Sequence, residues 1–126
     1  MRLLLNTNAL ICSISTPEEL GTRARLAITE GENEVFVSVV SLWEMLVKLR
    51  AGKLNLPLAE VEQVLEEEGS TRLAIHSGHL RALEALPIRH KDPFDHLLIA
   101  QAIGEDMIFV TRDAEADKYP VRVMPC

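Results

Sequence analysis

Short blocks of consecutive apolar residues alternate along this chain with longer stretches in which apolar positions recur every three or four residues. The blocks at 1–5, 35–38, 72–75, 108–111 and 121–124 have the length and composition of buried strands. The stretches between them predict helices. Thr16-Pro17-Glu18-Glu19 places a capping threonine, a proline at the first helical position and a glutamate at the third, predicting a helix that runs toward Gly31. Ser41 opens a second, with Leu42, Met45, Leu46 and Leu49 on one face and Gly52 at its end. Residues 58–68 form an acidic helix, 77–86 a helix closed by Pro87, and Asp92-Pro93 starts another that reaches about Glu105. Strictly alternating strands and helices predict an α/β fold: a parallel sheet of four to five strands with helices on both faces and right-handed crossovers. In such a fold ligands bind beyond the carboxyl ends of the strands.

Composition narrows the setting. With 126 residues, 48% hydrophobic and 25% charged, the chain reads as a single domain over 1–126, too apolar for disorder. No apolar run reaches the roughly 20 residues of a membrane helix, and the opening Met-Arg-Leu-Leu-Leu turns polar at Asn6, unlike a signal peptide. Cys12 and Cys126 form no Cys-x-x-Cys pair, which fits a reducing, cytoplasmic location better than a disulfide scaffold. The net charge of −6 argues against a broad basic face for nucleic acid, but suits a protein that holds phosphates through bound divalent metals. Glu60, Glu62, Glu66, Glu67 and Glu68 crowd one segment, while Lys48, Arg50 and Lys53, and Arg89, His90 and Lys91, form small basic groups.

The strand ends carry the candidate chemistry. Asn6 and Thr7 follow the first strand, Glu44 lies early in the helix after the second, Asp92 and Asp95 open the helix before the 108–111 strand, and Asp113 follows that strand in Thr111-Arg112-Asp113. Each has an ordinary structural explanation. Glu44 and Lys48 are spaced as a helical surface pair; Asp92 is an N-cap and Asp95 sits where the helix dipole favours an acid; Asp113 caps a short helix. The helix 94–103 is apolar on nearly every side, however, so Asp95 should be buried and a buried carboxylate needs a partner, for which a cation is suited. Hard cations such as Mg²⁺ and Mn²⁺ take oxygen ligands, and a pair of them serves phosphodiester hydrolysis. His76 and His79 are spaced i, i+3 without a complete zinc set and read as capping or surface residues, and His90 and His96 flank the Asp92–Asp95 segment.

These residues carry a resemblance. Leu-Leu-Leu-Asn-Thr-Asn-Ala-Leu at 3–10 resembles the opening of a PIN domain, in which Asp normally stands at the position of Asn6. Ser41-Leu42-Trp43-Glu44 through Lys48, with Gly52-Lys53-Leu54, resembles the second PIN motif; Asp92-Pro93-Phe94-Asp95-His96 through Ala102 the third; and Val110-Thr111-Arg112-Asp113 the fourth. The resemblance runs the length of the chain. It implies a PIN-like α/β/α sandwich and a Mg²⁺- or Mn²⁺-dependent ribonuclease of VapC type, acting on RNA by a two-metal mechanism. It further implies neutralisation by a cognate antitoxin and a homodimeric state. Asn6, Glu44, Asp95 and Asp113 take the catalytic and metal-ligand positions, supported by Thr7, Asp92, Thr111 and Arg112. The departure at Asn6 replaces one carboxylate by a neutral amide, a weaker ligand that cannot take a proton from water. Either an engineered substitution has inactivated a natural enzyme, or the protein is a weakened member. A non-catalytic PIN-like module that binds RNA or protein is the alternative. A phosphoacceptor signalling domain lacks its paired acids and terminal lysine, and dinucleotide binding lacks a Gly-x-Gly-x-x-Gly loop.

Overall fold

The computed structural model describes residues 1–89 and 92–126; His90 and Lys91, assigned above to a basic group and to the flank of the third motif, lie outside the described residues. Five strands, β1 (Arg2–Leu5), β2 (Glu34–Ser38), β3 (Thr71–Leu73), β4 (Ile108–Thr111) and β5 (Val123–Pro125), form one sheet in the order β3-β2-β1-β4-β5. All four pairings are parallel, as the alternation of elements predicts. Between the strands lie α1 (Thr7–Ser15), α2 (Thr22–Thr29), α3 (Val39–Arg50), α4 (Leu58–Glu68), α5 (Ser77–Ala85) and α6 (Pro93–Gly104).

Alternation along the strands builds two cores. Leu3, Leu5, Val37 and Val110 face one side and pack with Ala9 and Leu10 of α1, Ala24 and Ala27 of α2 and Val61 and Leu65 of α4. Leu4, Phe36 and Phe109 face the other and pack with Leu98, Ile99 and Ala102 of α6. Over β1, β2 and β4 both faces are thus buried, which is why these strands are apolar runs, whereas the edge strand β3, Thr71–Leu73, is mostly exposed. No helix among the described residues is long and apolar enough to cross a membrane.

The entry into the fold differs from the sequence expectation. A helix begins immediately after β1 at Thr7, where none is expected, because the Asn6 side chain accepts a hydrogen bond from the Ala9 N–H at 2.8 Å and caps α1. Thr16 makes no side-chain cap bond to the backbone, although its hydroxyl reaches Glu19 at 3.2 Å; the turn it opens, Pro17–Glu19, stops at Leu20. The helix toward Gly31 is therefore only the separate α2, starting after Gly21. Likewise α3 starts at Val39, capped by Ser38, so Ser41 lies inside the first turn and is buried.

After β1 the chain places β2 and then β3 on one side, and crosses through α5 and α6 to place β4 on the other side of β1. The strand order reverses between β1 and β4. That is the crevice where open parallel sheets bind ligands.

Candidate functional site

The residues following β1 and β4 meet across this crevice. The Asn6 N–H donates to the Val110 carbonyl at 3.0 Å, continuing the sheet by one bond. Beyond it the Asn6 Nδ2 donates to Thr111 Oγ1 at 2.8 Å, joining side chains 105 positions apart. Thr111 Oγ1 also accepts from the Asp113 N–H at 3.0 Å, and Asp113 Oδ1 caps the short turn Ala114–Lys118 through the Glu115 N–H at 2.9 Å. Asn6 and Thr111 are both 2% exposed, so this linkage is buried beneath the rim. The Ala9 N–H fixes which end of the Asn6 amide is oxygen.

Thr7 carries the linkage to α3. Its hydroxyl donates to Glu44 Oε1 at 2.5 Å and lies 3.3 Å from Ser41 Oγ. The second Glu44 oxygen faces Lys48 Nζ at 3.5 Å, the expected i, i+4 pair. Glu44 nonetheless differs from a surface residue: its side chain is only 12% exposed because Thr7 draws it inward. Ser41 belongs to this site although the sequence marks it only as a helix start. Its position three residues before Glu44, on the same helical face, is the signal that identifies it.

At α6, Asp92 Oδ1 accepts from the N–H groups of Phe94 and Asp95 at 3.0 and 3.3 Å and is the N-cap its sequence predicts. Asp95, one turn in, is 9% exposed and is not without a partner. Arg112 is held elsewhere: its Nη2 donates to the Glu19 carbonyl at 3.3 Å and approaches Cys12 Sγ at 3.5 Å. Burial pushes the nearby Cys126 thiol up, with Arg112 opposing the shift. Both cysteines are free, as their spacing predicts.

Hydrogen bonds thus bring Asn6 and Asp113 together through Thr111 and tie Glu44 to the same rim through Thr7, whereas Asp95 lies in the first turn of α6, a helix that packs on α3. Among the described residues, a group of three potential ligands whose ligand atoms lie within 4.8 Å of one another is found elsewhere, at His76, His79 and Glu105. Its hydrogen bonds mark it as a helix cap. His76 Nδ1 accepts from the Gly78 N–H at 3.0 Å and His79 Nδ1 from the His76 N–H at 3.3 Å, so each ring carries its proton on Nε2. Those protons point at Glu105 Oε1, at 3.0 and 2.8 Å. A metal on Nε2 would leave Nδ1–H facing a backbone N–H, two donors opposed, where a metal-bound imidazole normally donates its other N–H to an acceptor. Hydrogen bonds from His79 and His76 hold the Glu105 carboxyl below the usual carboxylate range. Inward, Gln101 Nε2 lies 3.3 Å from His79 Nδ1, and Gln101 Oε1 accepts from Ser38 Oγ at 2.5 Å, the residue that caps α3.

Comparison with known proteins agrees with this architecture. A family model described as PIN domain matches residues 3–121. No curated protein sequence matches the chain. Among solved structures, a chain of VapBC2 from Rickettsia felis bound to promoter DNA is similar, with TM-score 0.78 and 16% identity, covering 100% of this chain and 99% of that one. A chain of DNA-bound VapBC from Salmonella typhimurium gives TM-score 0.72 at 18% identity, covering 99% and 98%. One of FitAcB from Neisseria gonorrhoeae gives 0.57 at 20%, covering 97% and 96%.

Proposed function

This chain belongs to the PIN domain family, and on that premise we propose that it is a Mg²⁺- or Mn²⁺-dependent endoribonuclease, the VapC-type toxin of a toxin–antitoxin pair. The observation that carries the reading is the buried Asn6–Thr111 bond across the β1–β4 crevice, because it sets Asn6 and Asp113 on one rim, with Thr7 extending that rim to Glu44. Glu44, Asp95 and Asp113 would hold the cation, with the Asn6 amide oxygen as a neutral fourth donor. The chemistry such ions would supply there is activation of a water and stabilisation of the leaving oxygen of a phosphodiester.

The chain's own residues prepare that site. Thr7 and Lys48 fix both oxygens of Glu44, and Lys48 offsets part of the negative charge before a cation arrives. Thr111 anchors the Asp113 backbone, and Asp92 positions the first turn of α6 beneath Asp95. Asn6 weakens the site in two ways: its amide adds no charge, and its oxygen is already engaged by the Ala9 N–H. Asp would fit the same place, since one carboxylate oxygen could keep that cap while the other accepts from the Thr111 hydroxyl.

The antitoxin reading is supported by the likeness to chains solved in VapBC and FitAcB assemblies. A partner that places an arginine among these acids would neutralise them without metal, since its guanidinium can pair with two oxygens. The deciding experiment is digestion of a broad RNA pool by Asn6→Asp in Mg²⁺ or Mn²⁺. Restoring one electrostatic contact of this kind raises the rate by about 10²–10³-fold. A folded, metal-loaded Asn6→Asp protein that leaves RNA intact would sink the nuclease reading, and a non-catalytic binding module would replace it.

A further inference from the structure

The indole of Trp43 is unaccounted for by the site as described. It is 56% exposed, although tryptophan is highly buried on average. Trp43 immediately precedes Glu44 on α3, and Phe94 immediately precedes Asp95 on α6. The two rings meet edge to face, with centroids 4.8 Å apart and planes inclined at 66°. An aromatic contact therefore joins the two helices at the turn where each presents its acid. Phe94 is the fixed member, packed against the α6-side core and held at its N–H by Asp92. Trp43 is the member left open.

What lies around the ring narrows what it can bind. Its outer side opens on a shallow groove lined by Val39, Leu42, Leu46, Leu58 and Glu62, which offers no cation to a phosphate. On α3, Lys48 is paired with Glu44 at 3.5 Å. The surroundings thus separate into an edge of acids that would meet a phosphate through a bound cation and an apolar ring suited to a flat, uncharged group. A nucleotide presents this division. Stacking on an aromatic side chain needs an unpaired base, because a base within a duplex has its faces occupied.

We propose that Trp43, steadied by Phe94, is a stacking platform for the base that adjoins the phosphate held at the acids, so that this ring contributes to binding through the base and not through the backbone. The inference rests on the nuclease reading for the position of that phosphate.

Trp43 is the only tryptophan in the chain, so its fluorescence reports on this ring alone. Titration in Mn²⁺ with a short unstructured oligoribonucleotide should quench it, whereas the abasic oligomer of equal length and the blunt duplex should not. Trp43→Leu, which keeps apolar bulk and removes the π-face, should weaken binding of the oligoribonucleotide about tenfold, and Trp43→Phe should keep most of it. In the Asn6→Asp background, Trp43→Leu should raise KM by a similar factor with kcat within about threefold. Equal quenching by the abasic oligomer, or an unchanged KM in Trp43→Leu beside active Asn6→Asp, overturns the platform and leaves the nuclease standing. A Trp43→Leu protein that changes its mass in sedimentation while binding RNA normally also overturns it, assigning the ring to a protein contact. An inert Asn6→Asp chain that still shows base-dependent quenching sinks the nuclease alone.

Discussion

Asn6 shows how much one side chain decides. It caps α1 and bridges to Thr111, and under the proposed function it also holds a ligand position, the one role of the three that depends on charge. Asn6→Asp should therefore keep the fold but add repulsion among acids: we expect a lower melting temperature without metal and a larger rise on adding Mn²⁺ than the parent chain shows, because a ligand that binds only the folded state stabilises it by mass action. Asp95→Ala should abolish the Mn²⁺-induced rise in either background; an undiminished rise would remove Asp95 from the ligand set. Glu105 has a different, purely structural charge. Its folded-state pKa is lowered, so its contribution is fully present above the unfolded carboxylate value near 4.5 and is lost as pH falls through the lower folded value. The melting-temperature gap between the parent and Glu105→Gln should be flat across pH 5 to 6 and shrink below pH 4.5.

At the level of elements, the strands were legible because a sheet buried on both faces writes itself as apolar runs, and β1, β2 and β4 fall within a residue of expectation. The first helix was not legible. Asn6 at its N-cap stands where the family resemblance places a metal-binding aspartate, and the capping box at Thr16 competes for the same stretch, which the break at Gly21 resolves differently. The acids were legible one by one, but their contacts were not, because Thr7–Glu44 and Asn6–Thr111 depend on sheet order. The spacing of His76 and His79 suggests capping or surface residues; both cap α5, but His79 is buried, not at the surface, and its closure by Glu105 depends on the packing of α5 on α6, which spacing does not reveal. Gly78 belongs to this cap: a Cβ there would lie 2.8 Å from His76 Cε1 and displace the ring. Gly78→Ala should thus cost about 0.5–2 kcal/mol, the usual value of an N-cap, in urea unfolding. His79→Ala should cost more, about 1–3 kcal/mol from the stranded polar groups alone, because His79 is fully buried.

For the whole molecule, a net charge of −6 opposes contact with another polyanion, so under the proposed function a bound cation would have to mediate it. Chelation with EDTA should remove RNA binding altogether, as a filter-binding or fluorescence titration would register, while a basic antitoxin segment should bind best without metal and loosen as salt rises. The sheet order has one more consequence, for synthesis. The first strand made, β1, is the centre of the sheet, and its register partner across the crevice is Ile108, opposite Leu3. Pairings this distant in sequence form late, since a long loop must close before they return any energy. A chain still on the ribosome holds Asn6 and Glu44 long before it holds Asp113. Products of interrupted translation that stop short of β4 therefore lack half of the crevice, and under the proposed function the power to cut RNA would be withheld from the machinery making it until almost the whole length had been released.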